Sequence, residues 1–168
     1  MEHAMSENPN PQDLGEIVES IWEVFLADGG PIRHAERTEF EPAMTASISI
    51  SGAWNGLVAI GFSAQAARWS AAHMLGIPLE DLRDADVVDA VGELVNVIGG
   101  NVKGIVDAPT DLSLPVVARG RSLSEQSSRA GEVIELHFSW ADEPVSVQVI
   151  PMAGVQAPSA AAAAHSAR

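Results

Sequence analysis

The chain has 168 residues, of which 46% are hydrophobic and 19% charged, with a formal net charge of −14 and no cysteine. This length fits one globular domain. The acidic balance argues against a nucleic-acid partner, because binding to phosphates depends on Lys and Arg, and the lack of cysteine excludes disulfides and Cys-ligated metals. No run approaches the ~18 apolar residues of a membrane-spanning helix. We therefore expect a cytoplasmic protein without membrane insertion.

The two ends of the chain differ in composition from its middle. Residues 1–12 are polar and contain two prolines, and residues 153–168 are rich in alanine. Such segments have little apolar surface to bury, so both are predicted to be disordered tails around a domain at residues 13–152. The polar stretch from Gly120 to Glu132 is predicted to be a mobile connection within that domain.

The first half of the domain reads as a helix, a hairpin and a second helix. Asp13 is the predicted N-cap of a helix whose apolar residues recur at three-and-four spacing up to Phe25. Residues 44–51 alternate between apolar and polar, and residues 57–62 are more fully apolar, so two strands of a hairpin are predicted. Ser63 then caps a helix that ends at Gly76.

The second half reads as a long helix followed by strands. The helix is predicted from Asp84 or Asp86 to Ile105, and the strands at residues 112–119, 133–140 and 145–149. Strands that are adjacent in sequence and joined by short turns favour antiparallel pairing. The predicted fold class is therefore α+β, with a mainly antiparallel sheet covered by helices on one face, in two layers.

The long helix has two sharply different sides. At 100° per residue, its polar positions fall on one line and its apolar positions on the opposite side. The line consists of Asp89, Glu93, Asn96, Gly100 and Lys103; the apolar side consists of Val87, Val91, Leu94, Ile98, Val102 and Ile105. The Glu and Asn side chains are therefore expected to face outward.

Three glycines lie inside this helix, on the polar line or beside it. Gly92, Gly99 and Gly100 each cost about 1 kcal/mol relative to alanine in a helix interior. Close packing against a neighbouring element would explain them. A shallow outer face that lets another protein approach Glu93 and Asn96 would explain them equally well.

The run from Glu93 to Asn101, ELVNVIGGN, preceded by Asp89, resembles the active-site helix of the CheC, CheX and FliY chemotaxis phosphatases. Their pattern is Asp or Ser, three residues, Glu, two residues, Asn and then commonly Gly-Asn. The resemblance covers residues 14–151, and the single copy of the motif is similar to the CheX type, which implies a CheX-like fold. Pro115 is either the later proline of the family pattern or an edge-strand proline.

The resemblance implies a protein phosphatase that hydrolyses the aspartyl-phosphate of a CheY-like response regulator receiver domain. Asn96 would position the attacking water, and Glu93 would dock on the receiver's lysine. No cofactor or metal of its own is expected, because the Mg²⁺ of such a reaction belongs to the receiver. The residues expected to contact the partner are Asp89, Gly92, Gly100 and Lys103.

Two other functions remain open from the sequence. The same helix would also suit a non-catalytic module that binds a receiver in two-component signalling. An assembly domain that dimerises through the strand containing Pro115 is the third reading, and the resemblance to CheX-type proteins implies a homodimer.

Overall fold

The computed structural model describes residues 8–37, 39–106, 108–120 and 130–154. These residues form three α-helices, α1 (Pro11–Phe25), α2 (Ala64–Leu75) and α3 (Asp84–Ile105). They also form seven strands, β1 (Ile32–His34), β2 (Met44–Gly52), β3 (Gly56–Phe62), β4 (Thr110–Leu112), β5 (Val116–Arg119), β6 (Ile134–Trp140) and β7 (Glu143–Pro151). The tails predicted at residues 1–12 and 153–168 and the mobile stretch predicted at residues 120–132 lie partly outside the described ranges, at residues 1–7, 155–168 and 121–129. Pro11 and Gln12, predicted as part of the first tail, belong to α1, because Asn10 caps the helix and proline is favoured in its first turn.

The seven strands make one sheet in the order β1-β6-β7-β3-β2-β4, and β5 also pairs with β2. Every pairing is antiparallel. β6 and β7 are joined by a tight turn in which Ala141 and Asp142 have positive φ, the geometry that suits a two-residue hairpin. The predicted antiparallel sheet is confirmed.

The helices pack on one face of this sheet, and the hydrophobic core lies between the two layers. α1 contacts β1 and β6, α2 contacts β3 and β7, and α3 contacts β2 and β3. Trp140 of β6 lies at the centre of the contact, with its ring edge-to-face with Trp22 of α1 and Trp69 of α2. The predicted α+β two-layer arrangement is therefore confirmed. None of the described helices combines the length and the apolar character needed to cross a bilayer.

The N-cap prediction for α1 is wrong by three residues. Asn10 is the N-cap, and its side-chain oxygen accepts a hydrogen bond of 2.9 Å from the backbone N–H of Asp13. Pro11 occupies the first helical turn, where its missing N–H has no partner to lose. The N-cap prediction for α2 is confirmed, because the hydroxyl of Ser63 accepts from the backbone N–H of Ala66 at 3.1 Å.

The strand predicted at residues 112–119 is interrupted in the structure. β4 and β5 both pair with β2, but residues 113–115 between them leave the regular ladder. Ser113 bridges the gap, because its backbone N–H donates to Ser49 O and its hydroxyl accepts from Ser49 N, both at 2.9 Å. Pro115 has no N–H to give to a ladder, which explains the interruption at this point.

The strand β1 is absent from the prediction. It has three residues, two of which are the exposed Arg33 and His34, so the sequence shows no alternation there. Its place in the sheet is set by antiparallel pairing with β6, a contact that the sequence pattern does not show.

Candidate functional site

The buried side of α3 is the predicted one. Val87, Val91, Leu94, Ile98 and Val102 are buried, and Ile105 at the last turn is half-buried. This side packs on β2 and on the other two helices. The packing fixes the rotation of α3 about its axis and therefore the direction of its polar line.

The polar line of α3 lies at the surface. Asp89, Glu93 and Gly100 are exposed, whereas Asn96 and Lys103 are half-buried. Within the described ranges, the carboxylate of Glu93 and the amide of Asn96 make no hydrogen bond or ion pair. Both groups are one helical turn apart and free to bind an external molecule.

The three helical glycines have different surroundings. A Cβ on Gly99 would lie 2.6 Å from Cγ2 of Ile48, so the close approach of α3 to β2 requires glycine there. A Cβ on Gly92 would be in ordinary contact with Val117 and Pro115 of the neighbouring segment, at 3.6 and 3.8 Å. A Cβ on Gly100 would meet nothing within 4 Å. The fold itself therefore gives no packing reason for glycine at position 100.

The second asparagine of α3 differs from Asn96. Asn101 is exposed, and its Nδ2 donates a 2.8 Å hydrogen bond to the backbone carbonyl of Val97 one turn earlier. Its side chain is thus held by its own helix.

Charged residues are concentrated at the start of α3. The carboxylate of Asp86 accepts a 2.9 Å hydrogen bond from the backbone N–H of Arg83. This hydrogen bond and those from the Arg83 guanidinium lower the pKa of Asp86 below its ordinary value of 3.8. The hydrogen bonds from its guanidinium to Asp86 raise the pKa of Arg83. Arg119 of β5 lies 3.5 Å from Asp84, so the start of α3 and the end of β5 lie side by side.

The segment from Leu112 to Arg119 runs along α3 in the opposite direction to the helix. Leu112 lies beside Gly99, Pro115 beside Gly92 and Arg119 beside Asp84. This segment therefore borders the part of α3 that carries Glu93 and Asn96. The sequence did not predict this neighbour, since nothing in the residue pattern of the segment shows where it lies relative to α3.

No group of three or more His, Asp or Glu side chains with the spacing of a metal site occurs in the described part of the chain. The site consists of one carboxylate, one amide and a glycine on an accessible helix face. Such a set can orient a water molecule and bind a cationic group, because an amide both donates and accepts hydrogen bonds and a carboxylate accepts them.

A protein-family model described as "Chemotaxis phosphatase CheX" matches residues 44–139, which include all of α3 and Pro115. The chain belongs to the CheX family. No protein of curated function matches it. Among solved structures, CheX from Vibrio vulnificus is 19% identical with a TM-score of 0.67, over 82% of this chain and 95% of that chain. CheX from Desulfovibrio desulfuricans is 21% identical with a TM-score of 0.63, over the same shares of the two chains.

A third similar structure is the complex of CheX, CheY, BeF₃ and Mg²⁺ from Borrelia burgdorferi. Its matched chain is 15% identical to this one with a TM-score of 0.66, over 88% of this chain and the whole of that chain. These similarities to CheX structures show a shared fold. The predicted membership of the CheX type is confirmed by the family model.

Proposed function

We propose that this chain is a phosphatase that hydrolyses the aspartyl-phosphate of a CheY-like receiver domain in the cytoplasm. The observation that carries the proposal is the exposed face of α3, where Glu93 and Asn96 are one turn apart and without partners in the described residues. Membership of the CheX family supports it, and so does the complex of the Borrelia CheX with CheY.

In the proposed reaction, Asn96 holds a water molecule in line with the phosphorus atom. The water oxygen forms a bond to phosphorus, the bond from phosphorus to the aspartate oxygen breaks, and the products are inorganic phosphate and a free carboxylate. An acyl phosphate is already reactive, so positioning the water is most of the work. A hundredfold acceleration corresponds to about 2.7 kcal/mol, which is within the reach of positioning.

Glu93 is proposed to bind the lysine of the receiver and so to orient the complex. Asp89, Gly100 and Lys103 are proposed to contact the receiver along the same line, and Gly100 would let its surface come close to Asn96. Gly92 is buried, and a Cβ there would make only ordinary contacts with Val117 and Pro115, so no direct contact of Gly92 with the receiver is proposed. The Mg²⁺ is proposed to be a ligand of the receiver, and this chain is proposed to use no cofactor of its own.

The test is phosphate release from an aspartyl-phosphorylated, Mg²⁺-loaded CheY-type receiver with wild-type protein, Glu93→Ala and Asn96→Ala. We expect Asn96→Ala to lose most of the acceleration, by about a hundredfold, with unchanged binding. Glu93→Ala should also lose acceleration and should weaken binding. Asn101→Ala is the matched control, because that amide bonds to its own helix, and its activity should equal that of the wild type.

Two results would contradict the proposal. An Asn96→Ala protein with the wild-type rate would remove the proposed role of the amide. Tight receiver binding without any change in phosphoaspartate lifetime would identify a non-catalytic receiver-binding module instead.

A homodimer is a separate proposal that rests on the sheet. Among the described strands, β1 and the segment of β4 and β5 lie at the two ends of the sheet, and their outer backbone edges have no neighbouring strand. Such edges are suited to pairing with a second copy. Light scattering of the purified protein would give the mass of one chain if the proposal is wrong.

A further inference from the structure

Leu114 is the most exposed large apolar side chain of the described residues. Its side chain is 85% exposed, although it lies between segments that pair with the sheet. An isolated exposed leucine is common on protein surfaces. Leu114 differs from such isolated residues because it belongs to the edge segment that borders the polar line of α3.

Leu114 belongs to the edge segment that borders the part of α3 carrying Asn96. A Cβ on Gly99 would be 3.7 Å from Leu112, and a Cβ on Gly92 would be 3.8 Å from Pro115, so Leu114 lies in the chain between two residues that flank the helix. At 100° per residue, Gly92 and Gly99 lie about 40° and 60° from Asn96, both on the same side of it. The edge segment therefore borders the polar line on the side of Asn96.

The backbone that carries Leu114 is fixed on both sides. Ser113 exchanges two hydrogen bonds of 2.9 Å with Ser49, and its hydroxyl lies 3.0 Å from the carbonyl of Leu114. Pro115 follows with a restricted φ and packs near Gly92. An apolar side chain on a fixed backbone loses little conformational freedom on binding, which favours its use as a contact.

We propose that Leu114 is an apolar anchor for the phosphorylated receiver, next to the site where Asn96 acts. This inference rests on the proposed function and adds a second contact, one that holds the receiver on the Asn96 side of α3. Continuity with the polar line of α3 argues for the receiver as the occupant. A second copy that adds a strand would pair with the regular edges of β1, β4 or β5 and not with residues 113–115, because the ladder is interrupted there and Pro115 has no N–H.

The experiment measures the rate of receiver dephosphorylation against receiver concentration for wild-type protein and Leu114→Ser. Loss of the anchor should raise KM about tenfold and leave kcat unchanged, since the contact is made equally before and during the reaction. Val116→Ser is the matched control. Val116 is also exposed, at 59%, but it pairs with Ser47 on the helix-free face of the sheet, so its KM should equal that of the wild type.

The outcomes separate this inference from the proposed function. A wild-type protein that accelerates dephosphorylation, with a Leu114→Ser variant of unchanged KM, overturns the anchor and leaves the phosphatase standing. A wild-type protein without any acceleration overturns both. A fall in molecular mass of Leu114→Ser by light scattering would assign the residue to an interface between copies and would also overturn the anchor. The thermal midpoint of the variant should stay within the range of ordinary surface substitutions, which checks the fold.

Discussion

Gly99 and Gly100 are adjacent in α3, but only Gly99 has a packing reason to be glycine. Gly99→Ala would place a methyl group 2.6 Å from Ile48, and β2 cannot move away without disturbing the sheet. We expect this variant to be less stable by about 1–3 kcal/mol, as is typical of overpacking. Gly100→Ala meets nothing within 4 Å and should be more stable by up to about 1 kcal/mol, because alanine is the better helix former. Urea unfolding measures both differences.

Gly104→Ala is the control for the second of these effects. Its Cβ would also meet nothing within 4 Å, so it should show a gain of the same sign. If Gly100→Ala proved less stable than the wild type while Gly104→Ala did not, the open space at Gly100 would be refuted. A more stable Gly100→Ala protein with weaker receiver binding would show that receiver binding, and not the fold, requires glycine at position 100.

The start of α3 illustrates how one carboxylate stabilises an element. The backbone N–H of Arg83 donates to Asp86, which lowers the pKa of this carboxyl in the folded protein relative to the unfolded chain. A lowered folded-state pKa contributes stability above the unfolded value of 3.8, and this contribution disappears as the pH falls through the folded value. We therefore expect Asp86→Asn to lose less stability than the wild type as the pH drops from about 5 to about 2.5.

Asp81→Asn is the matched control for this titration. It removes the same charge from the neighbouring 3₁₀ turn at residues 79–81, but Asp81 does not accept the N–H that caps α3. Urea midpoints recorded over the acid range give the comparison. Identical acid slopes for Asp86→Asn and the wild type would show that the capping carboxylate does not contribute to acid unfolding.

The hydroxyl of Ser113 supplies one of the two hydrogen bonds that hold the interrupted edge segment to β2. Ser113→Ala leaves the backbone N–H of Ser49 without its acceptor, which should lower the free energy of unfolding by about 1 kcal/mol. Hydrogen exchange of the Ser49 amide should become faster. The Ser47 amide is the internal control, because Ser47 pairs with Val116 of β5 and loses no partner. Unchanged exchange at Ser49 would mean that water replaces the hydroxyl without loss.

The elements that the sequence predicts well are those with long, regular patterns. The 22 residues of α3 show apolar spacing over six turns, so both its bounds and its outer line could be predicted. The N-cap of α1 could not be chosen in the same way, because Asn10 and Asp13 are both good caps. The position of residues 113–115 against β2 depends on hydrogen bonds between Ser113 and Ser49, which are 64 residues apart in sequence. Local patterns carry no record of such a contact.

The same distinction between local patterns and long-range contacts applies to the candidate site. Glu93 and Asn96 share one helix, so their common direction follows from helix geometry alone. The approach of the edge segment to the side of Asn96 depends on tertiary contacts of α3 with β4 and β5, and the need for glycine at position 99 depends on the close approach of Ile48 in β2. A motif on one element is therefore predictable from sequence, whereas its neighbours on other elements require the structure.

At the scale of the whole molecule, the net charge of −14 predicts how the thermal stability depends on salt concentration. Repulsion between carboxylates raises the free energy of the compact state more than that of the expanded chain. Raising the salt concentration from about 0.01 to about 0.1 M shortens the screening length from about 30 to about 10 Å. We expect the thermal midpoint to rise, by about 2–4 °C for each kcal/mol gained.

Surface ion pairs act in the opposite direction, since salt weakens them. The pairs of Arg119 with Asp84 and of Arg37 with Glu135 have cationic side chains that are about 80% exposed, so each contributes little. The general repulsion should therefore prevail. Replacing Glu80 and Asp81 by Gln and Asn removes two negative charges and should reduce the rise in midpoint with salt. A midpoint that falls with salt would show that the ion pairs, and not the net charge, dominate the electrostatic free energy of this fold.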